Sequence, residues 1–269
     1  MFWLHRRSRQ QLYGNDFLSC RVNDKHDTCL ILLSRSPAAG PVKTRLAKES
    51  SSDFAQTLYS LFLQDLAQTL QSLELPIFVC YTPDTAPAAE NLKDLLRPSF
   101  EKQPNATAQT SLFLPQGPGR LEARMDRAIS NCFERGFDKV VLIGGDLPDL
   151  PAAHLRVAVE ALHNHDWVLG PTLDGGYYLV GCTAQAFQPG LLDWQALPPN
   201  AIYLKTCARL RQKNLGVFAL PPWQDVDTLA DVKDLLNRHT KTNAAPHLQP
   251  PTRTLAWLAA QPWPNQPAP

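Results

Sequence analysis

The sequence predicts an α/β fold built on a mostly parallel sheet, and three observations support this prediction. First, continuous apolar runs at residues 28–33, 76–81 and 139–144 are typical of strands buried on both faces of a sheet. Second, apolar residues at helical spacing over residues 51–73 separate two of these runs, as in a βαβ unit. Third, a chain of 269 residues with 44% hydrophobic residues can bury one large core.

The middle of the chain continues this alternation. Residues 111–114 form a short apolar run, and Gln116-Gly-Pro-Gly119 has the composition of a loop. The apolar face formed within residues 121–132 predicts a helix. Gly136 then ends that helix, because glycine readily adopts the left-handed conformation of a C-cap.

The remaining elements complete the domain. Residues 139–144 form the strongest strand pattern and run into Gly145-Asp146, and Pro151 stands where a helix can begin. The later elements are predicted as a helix over 151–162, strands over 167–170 and 177–181, a helix over 203–214, a strand over 216–220 and a helix after Asp227.

Segments of different composition flank this domain, which we place at residues 28–240. Residues 1–27 are polar, of mixed charge and without periodicity, so we expect a flexible extension there. Seven of the 24 residues from Pro246 onward are proline. Residues 241–269 are therefore predicted to be a proline-rich, extended tail, with Trp257 and Trp263 as points of contact.

Charge and cysteine content argue against several classes of protein. The formal net charge of +1 provides no field that would attract nucleic acid or an anionic membrane. The six cysteines are scattered and form no C-x-x-C pair, which argues against a zinc site and a disulfide scaffold. No apolar run approaches the roughly 18–20 residues of a membrane span, and the first residues lack the apolar core of a secretory signal. We therefore expect a cytoplasmic protein without a membrane span.

The loop after the first strand reads "SRSPAAGPVKTRLAKE" and is rich in cations. Arg35 follows the apolar run, while Lys43, Thr44 and Arg45 fall in the predicted first turn of a short helix. Cations at a helix start oppose the helix dipole, so this placement favours a bound phosphate that uses both the free amides and the side chains. The alternative is a solvated basic turn. A Walker loop is excluded because G-x-x-x-x-G-K-[ST] is absent.

Two later strands are followed by carboxylates. Asp146 follows the strand at 139–144, where a carboxylate can ligate Mg²⁺ or Mn²⁺ or can simply form a turn or an N-cap. Asp225 and Asp227 follow the strand at 216–220 and could supply a second carboxylate, although Asp227 or Thr228, followed by Asp231, could equally be the N-cap of a helix. Because ligands of open α/β sheets bind outside the carboxyl ends of the strands, we expect these residues to share one edge.

The segment "GPTLDGGYYLVG" places Asp174 between two predicted strands. Asp-Gly-Gly is a good hairpin turn. The alternative is that Asp174 projects over the edge of the sheet and orients or deprotonates an acceptor, while Gly175 and Gly176 leave room for a bulky ligand. In that second interpretation Tyr177 joins them in the substrate pocket. The residues alone leave both interpretations open.

Five blocks in this order resemble a known family. The blocks "SRSPAAGPVKTRL", "QGPGRLEARM", "LIGGDLPDL", "LGPTLDGGYYLVG" and "WQDVDT" are similar to the bacterial DUF2064 proteins, glycosyltransferase-like members of the GT-A nucleotide-diphospho-sugar transferase superfamily. The resemblance covers about residues 28–239. More distantly, the chain resembles 2-phospholactate guanylyltransferase and the molybdenum-cofactor guanylyltransferase. The resemblance implies a Rossmann-like, three-layer α/β/α sandwich with a mostly parallel sheet.

The resemblance also implies roles for individual residues. Lys43 and Arg45 would contact the nucleotide phosphates. Asp146 and Asp227 would be the acidic residues at the metal, and Asp174 would lie in the substrate pocket. Relatives often carry a G-x-L-G-E-R pattern where this chain has Gly119-Arg-Leu-Glu-Ala-Arg124. The missing second glycine could alter the wall of the pocket. Glu122 and Arg124 are assigned to that wall although the chain departs from the family pattern here.

These expectations combine into a transferase that uses a nucleotide-activated donor, a divalent cation (Mg²⁺ or Mn²⁺) and a small-molecule acceptor. The cation would stabilise the phosphate-containing leaving group, and Asp174 would orient or deprotonate the acceptor. Related nucleotidyltransferases commonly carry a G-x-G-x-R-type loop, which Ala38-Ala39-Gly40-Pro41 fits poorly, so glycosyl transfer from a nucleotide sugar is favoured. The alternatives are a nucleotidyltransferase that releases pyrophosphate and a non-catalytic nucleotide-binding protein.

Overall fold

The computed structural model describes residues 26–100, 112–194, 197–240 and 250–261. Within these ranges the chain forms seven strands and eight α-helices, and none of the helices is both long and apolar enough to cross a membrane. Most of the predicted N-terminal extension, the polar stretch at 101–110 and Trp263 lie outside the described residues.

The order of elements follows the sequence prediction closely. The strands are β1 Thr28–Arg35, β2 Ile77–Thr82, β3 Leu112–Pro115, β4 Lys139–Gly144, β5 Trp167–Pro171, β6 Tyr177–Thr183 and β7 Val217–Ala219. The helices are α1 Thr44–Glu49, α2 Ser52–Gln71, α3 Ala86–Phe100, α4 Leu121–Glu134, α5 Ala152–Ala161, α6 Ile202–Gln212, α7 Leu229–Thr240 and α8 Thr252–Ala260. Every strand predicted from the sequence is present. Gly136 has a φ of +94°, the left-handed conformation expected at the end of α4.

The seven strands form one sheet in the order β3-β2-β1-β4-β6-β5-β7. Strand β1 pairs in parallel with β2 and β4, so that Leu32 lies opposite Val79 on one side and Ile143 on the other. Strand β6 runs antiparallel to its neighbours β4 and β5, while β5 and β7 are parallel. The predicted mostly parallel sheet is therefore confirmed. The carboxyl ends of β1, β4, β5 and β7 meet at one edge, as expected.

Helices cover both faces of this sheet, because alternate residues of each strand point to opposite sides. In β1, Leu30 and Leu32 join the core under α2, α3, α5, α7 and α8, whereas Ile31 faces the core under α4 and α6. Both cores are apolar and closed to solvent, with Phe62 and Trp167 among their largest buried side chains. The three-layer α/β/α sandwich is therefore confirmed.

Helix α3 was not predicted. Its buried face carries Ala88, Ala89, Leu92 and Leu96 at helical spacing. Two alanines in that face make the apolar signal weak, and Pro98 near the end of the helix argues against helical structure when only the sequence is read. The helix forms because most of its residues, such as Ala, Leu, Glu and Lys, are good helix formers and its apolar face packs against α2 and the sheet.

The prediction of an extended tail is wrong for residues 252–260, which form helix α8. Asp65, buried in the middle of α2, accepts hydrogen bonds from the backbone amides of Arg253 (3.1 Å) and Thr254 (2.9 Å). These bonds satisfy amides of the first turn, which have no partner within the helix. Trp257 packs on Phe54 with ring centroids 5.0 Å apart, so its expected role as a contact point is confirmed.

Candidate functional site

A cavity of about 870 Å³ opens at the carboxyl ends of β1 and β4. Its volume lies within the range of roughly 300–1,000 Å³ that is usual for ligand pockets. Five of its lining residues are cationic and three are acidic: Arg35, Lys43, Arg45, Arg120 and Arg124, with Asp146, Asp225 and Asp227. The structure thus brings most of the predicted site residues, including Thr44, Gly176 and Tyr177, to the wall of one cavity.

Lys43 lies at the centre of the charged part of this wall. Its Nζ is 2.5 Å from Oδ1 of Asp146 and 2.8 Å from Oδ1 of Asp227, and only 3% of its side chain is exposed. Arg45 is mostly exposed and lies 3.7 Å from the other oxygen of Asp227. The acidic residues after β4 and β7 therefore converge with the basic loop after β1.

The backbone and aromatic neighbours of Lys43 determine where its ammonium lies. Lys43 has left-handed φ and ψ angles of 46° and 51° immediately before α1, and its ammonium lies 5.8 Å and 5.9 Å from the rings of Tyr59 and Phe62. Burial lowers the pKa of Lys43, but the charges and hydrogen bonds of Asp146 and Asp227 outweigh this effect and raise it above its ordinary value. Lys43 is therefore a firmly protonated, buried cation.

Asp225 is the third carboxylate of this wall. Within the described ranges no hydrogen-bond donor contacts its side chain, in contrast to Asp146 and Asp227. Burial raises the pKa of Asp225 from 3.8 to about 7, the charge of Asp146 adds to the rise, and Lys43 opposes it. The amide of Val226 donates to the carbonyl of Asp146 at 3.0 Å, which ties this segment to the end of β4.

The cap of α7 answers a question that the sequence left open. Thr228 and Asp231 form a reciprocal cap, in which Oδ2 of Asp231 accepts from the amide of Thr228 (2.8 Å) and Oγ1 of Thr228 accepts from the amide of Asp231 (3.2 Å). Asp231 also accepts from the amide of Asp227 at 3.0 Å. The N-cap residue is therefore Thr228, and the carboxylate of Asp227 remains available to the site.

Arg124 and Gln116 form the wall on the side of β1 and β2. The guanidinium of Arg124 donates to the carbonyl of Gly119 at 2.8 Å and to Oε1 of Gln116 at 3.3 Å. The buried amide of Gln116 donates in turn to the carbonyls of Ser34 (3.0 Å) and Cys80 (2.9 Å). Arg124 is thus held on the wall. Glu122 does not line the cavity; its buried carboxylate accepts a hydrogen bond of 3.1 Å from the exposed guanidinium of Arg120.

Asp174 lies in the tip of the β5–β6 hairpin. Its Oδ1 accepts from Oγ1 of Thr172 at 2.5 Å and from the amide of Gly176 at 3.2 Å, and its side chain is exposed. Gly175 has a φ of +95°, and a Cβ there would lie 2.3 Å from the carbonyl oxygen of Asn200, so the hairpin needs glycine. Neither Asp174 nor Gly175 lines the cavity, whereas Gly176 and Tyr177 do.

Comparison with known proteins assigns the chain to a family. The family described as "uncharacterized protein conserved in bacteria (DUF2064)" matches residues 65–194. A solved structure from Desulfovibrio desulfuricans G20, provisionally described as a nucleotide-diphospho-sugar transferase, is 32% identical; the match covers 87% of this chain and 95% of that chain, with a TM-score of 0.75. The chain belongs to the DUF2064 family.

Other solved structures are more distant from this DUF2064 chain. A cytidylyltransferase from Leptospira borgpetersenii serovar Hardjo-bovis (strain JB197) is 11% identical over 87% of this chain and 94% of that chain, with a TM-score of 0.49. A CMP:2-keto-3-deoxy-manno-octonic acid synthetase complexed with CTP is 10% identical over 77% and 96%, with a TM-score of 0.48. Similarities this weak carry no argument about activity. None of the curated proteins matches the chain.

The acidic wall of this DUF2064 protein fits a divalent cation that also contacts a phosphate. Within the described residues, no three His, Cys, Asp or Glu side chains form a ready-made metal site. Mg²⁺, however, is usually held by one or two carboxylates together with waters and substrate phosphates. Asp146 and Asp227 converge on one point, and Asp225 beside them has no hydrogen-bond donor among the described residues. These two observations are compatible with a bound cation.

Sequence reasoning missed the residues that support this wall. Asp149 is completely buried and accepts hydrogen bonds from Trp223 (3.2 Å), Arg238 (3.0 Å) and His239 (3.1 Å). Gln116, which holds Arg124, was assigned only to a loop. The only signal for Asp149 was its position next to Pro148 at the end of the "LIGGDLPDL" block, which did not indicate its partners.

Asp225→Asn is expected to stabilise the protein more at pH 8 than at pH 5. A carboxyl whose pKa is raised by folding favours the folded state only while it is protonated, so wild-type stability falls as the pH rises from about 4 to about 7. Asparagine cannot ionise and avoids this loss, which amounts to roughly 2–4 kcal/mol at pH 8. The melting temperatures of both proteins, measured at each pH with divalent cations chelated, test this. A difference that does not grow with pH would contradict it.

Proposed function

We propose that this protein is a metal-dependent transferase that uses a nucleotide-activated donor, and that it transfers a glycosyl group from a nucleotide sugar to a small acceptor. The observation that carries the proposal is the convergence of Lys43, Asp146 and Asp227 on the wall of a cavity of about 870 Å³. A cavity that combines carboxylates with cations suits a metal-bound diphosphate. The 32% identity to a provisionally described nucleotide-diphospho-sugar transferase supports the same class.

The cationic residues would bind the donor's phosphates. Arg35 and Arg45 are exposed at the cavity, and Arg124 is held there by Gly119 and Gln116. Guanidinium groups suit this task because they remain charged and can donate two parallel hydrogen bonds to a phosphate. Thr44, exposed at the start of α1, adds a hydroxyl on the same side.

The acidic residues would hold the cation. Asp146 and Asp227 are its proposed ligands, and Asp225 lies on the same wall with no hydrogen-bond donor among the residues that the structure describes. When bound, Mg²⁺ or Mn²⁺ supplies positive charge that stabilises the departing nucleoside diphosphate. The ion pairs with Lys43 bring the carboxylates of Asp146 and Asp227 to the same point, and the cap of α7 holds the backbone of Asp227 in place.

The opposite side of the cavity would receive the acceptor. Tyr177 packs edge-on against Trp194 with ring centroids 5.6 Å apart, and Ile202 and Leu121 complete an apolar wall. Aromatic and apolar side chains of this kind commonly form the body of a ligand pocket, with few polar groups to orient the ligand. The proposed orienting group is Asp174 in the neighbouring hairpin, whose exposed carboxylate retains one oxygen, Oδ2, without a bond in the hairpin.

Product analysis tests the proposed reaction. Purified protein is incubated with Mn²⁺, a panel of nucleotide sugars or nucleoside triphosphates, and a panel of small acceptors. We expect a nucleoside diphosphate to be released from one nucleotide sugar in an acceptor-dependent manner. Release of pyrophosphate from a nucleoside triphosphate would contradict glycosyl transfer and would support nucleotidyl transfer instead. Nucleotide binding without turnover on any substrate would support a binding protein instead.

A further inference from the structure

The ammonium of Lys43 occupies the point on which the two proposed metal ligands converge. Both of its contacts go to Oδ1 atoms, at 2.5 Å from Asp146 and 2.8 Å from Asp227, and its side chain is 3% exposed. A divalent cation bound through the same two oxygens would take over the contacts that Nζ makes. Lys43 and the metal therefore compete for the same two carboxylate oxygens.

The backbone conformation and the aromatic neighbours of Lys43 keep its ammonium at this contact. The residue takes a left-handed conformation before α1, and its ammonium lies within 6 Å of the rings of Tyr59 and Phe62. A second positive charge brought to the same carboxylates would be repelled by the ammonium. Yet Lys43 also lines the open cavity, where the donor's phosphates are proposed to bind. Its flexible four-carbon stem can carry Nζ from the carboxylates towards a phosphate.

We infer that Lys43 is a displaceable counter-ion of the metal site. Its ammonium holds Asp146 and Asp227 through the two ion pairs. When the donor binds, its phosphates attract the ammonium away, and the divalent cation takes over the two carboxylates. Metal and donor therefore bind together, each raising the affinity of the site for the other, because binding linkage is reciprocal. This inference rests on the proposed metal-dependent function and adds the order in which the site is filled.

The experiment measures Mn²⁺ retained by the protein in equilibrium dialysis, with and without inorganic pyrophosphate as a probe for the donor's phosphates. Lys43→Met keeps a long apolar stem against Tyr59 and Phe62 but removes the charge. Without pyrophosphate, we expect Lys43→Met to bind Mn²⁺ at least tenfold more tightly than the wild type. Pyrophosphate should raise wild-type affinity for Mn²⁺ at least tenfold and should raise that of Lys43→Met much less.

Two further variants keep the result interpretable. Lys48→Met removes an exposed cation from α1, the helix that directly follows Lys43, and should leave Mn²⁺ affinity unchanged. Lys43→Gln serves as a second neutral variant, and circular dichroism checks that each variant is folded. One outcome would overturn the counter-ion inference and leave the metal site in place. In it, the wild type binds Mn²⁺ with pyrophosphate, but without pyrophosphate neither Lys43 variant binds Mn²⁺ more tightly than the wild type. If no protein retains Mn²⁺ under any condition, the metal-dependent function fails, and the inference fails with it.

Discussion

Asp149→Ala is expected to lower the free energy of unfolding by about 3 kcal/mol or more, the largest stability effect that we predict for a single substitution. The side chain of Asp149 is completely buried, and that of His239 is 2% exposed. Oδ2 of Asp149 accepts from the guanidinium of Arg238 at 3.0 Å and contacts the ring of His239 at 3.1 Å. Removing the carboxylate leaves a cation and two ring N–H groups without their partner in a site that water reaches poorly.

The loss of Asp149 should also reach the candidate site. Oδ1 of Asp149 accepts from the indole of Trp223 at 3.2 Å, and Trp223 lies two residues before Asp225. His154 packs edge-on against the same indole, with ring centroids 5.1 Å apart. The segment that carries Asp225 and Asp227 is therefore held by a buried contact behind the cavity. We expect Asp149→Ala to weaken Mn²⁺ retention even at temperatures where the variant is still folded.

Urea denaturation of both proteins measures the stability effect. The matched control is Asp94→Asn, because Asp94 also contacts an arginine, Arg97 at 3.0 Å, but on an exposed helix surface. Exposed ion pairs contribute about 0–1 kcal/mol, so the control should hardly change the midpoint. Equal effects of the two substitutions would mean that burial adds nothing to the Asp149 cluster.

Much of the fold could be predicted because burial on both faces leaves a strong local signal. The strands β1, β2 and β4 are continuous apolar runs, and α2 and α4 have apolar faces at helical spacing, so a few neighbouring residues were enough. The hairpin at Asp174 and the left-handed Gly136 were equally local. Helix α8 could not be predicted in this way, because its first turn depends on Asp65, 188 residues away from Arg253.

The site could be predicted only as a set of residues, not as a set of contacts. Strand ends indicated that Lys43, Asp146 and Asp227 would meet at one edge of the sheet. They did not indicate that Lys43, 184 residues away from Asp227, would form ion pairs with both carboxylates. The sequence could not distinguish Asp225 from Asp227, because the two residues differ in their hydrogen bonds. Thr228 and Asp231 cap α7, which leaves the carboxylate of Asp227 available to the site. Asp225 receives no donor in the described part of the chain.

Asp146→Asn is expected to reduce the proposed metal-dependent transfer at least a hundredfold, the largest effect on activity that we predict. Asparagine has nearly the same shape and can still accept a hydrogen bond from Lys43, so the wall should keep its geometry. It carries no negative charge, however, and hard divalent cations bind anionic oxygens much more strongly than amide oxygens in such sites. Losses of ten- to a hundredfold are typical even for residues that only support metal ligands, so a direct ligand should cost at least as much.

Initial rates at saturating donor, measured over a range of Mn²⁺ concentrations, distinguish the role of Asp146 in metal binding from a general loss of structure. If Asp146 is a ligand, higher Mn²⁺ should partly restore the rate of Asp146→Asn, because mass action compensates for a weakened site. Asp234→Asn, which removes an exposed carboxylate from α7, is the control and should retain the wild-type rate. Unchanged Mn²⁺ dependence in Asp146→Asn would remove this residue from the metal site and leave Asp225 and Asp227 as the remaining acidic groups of the wall.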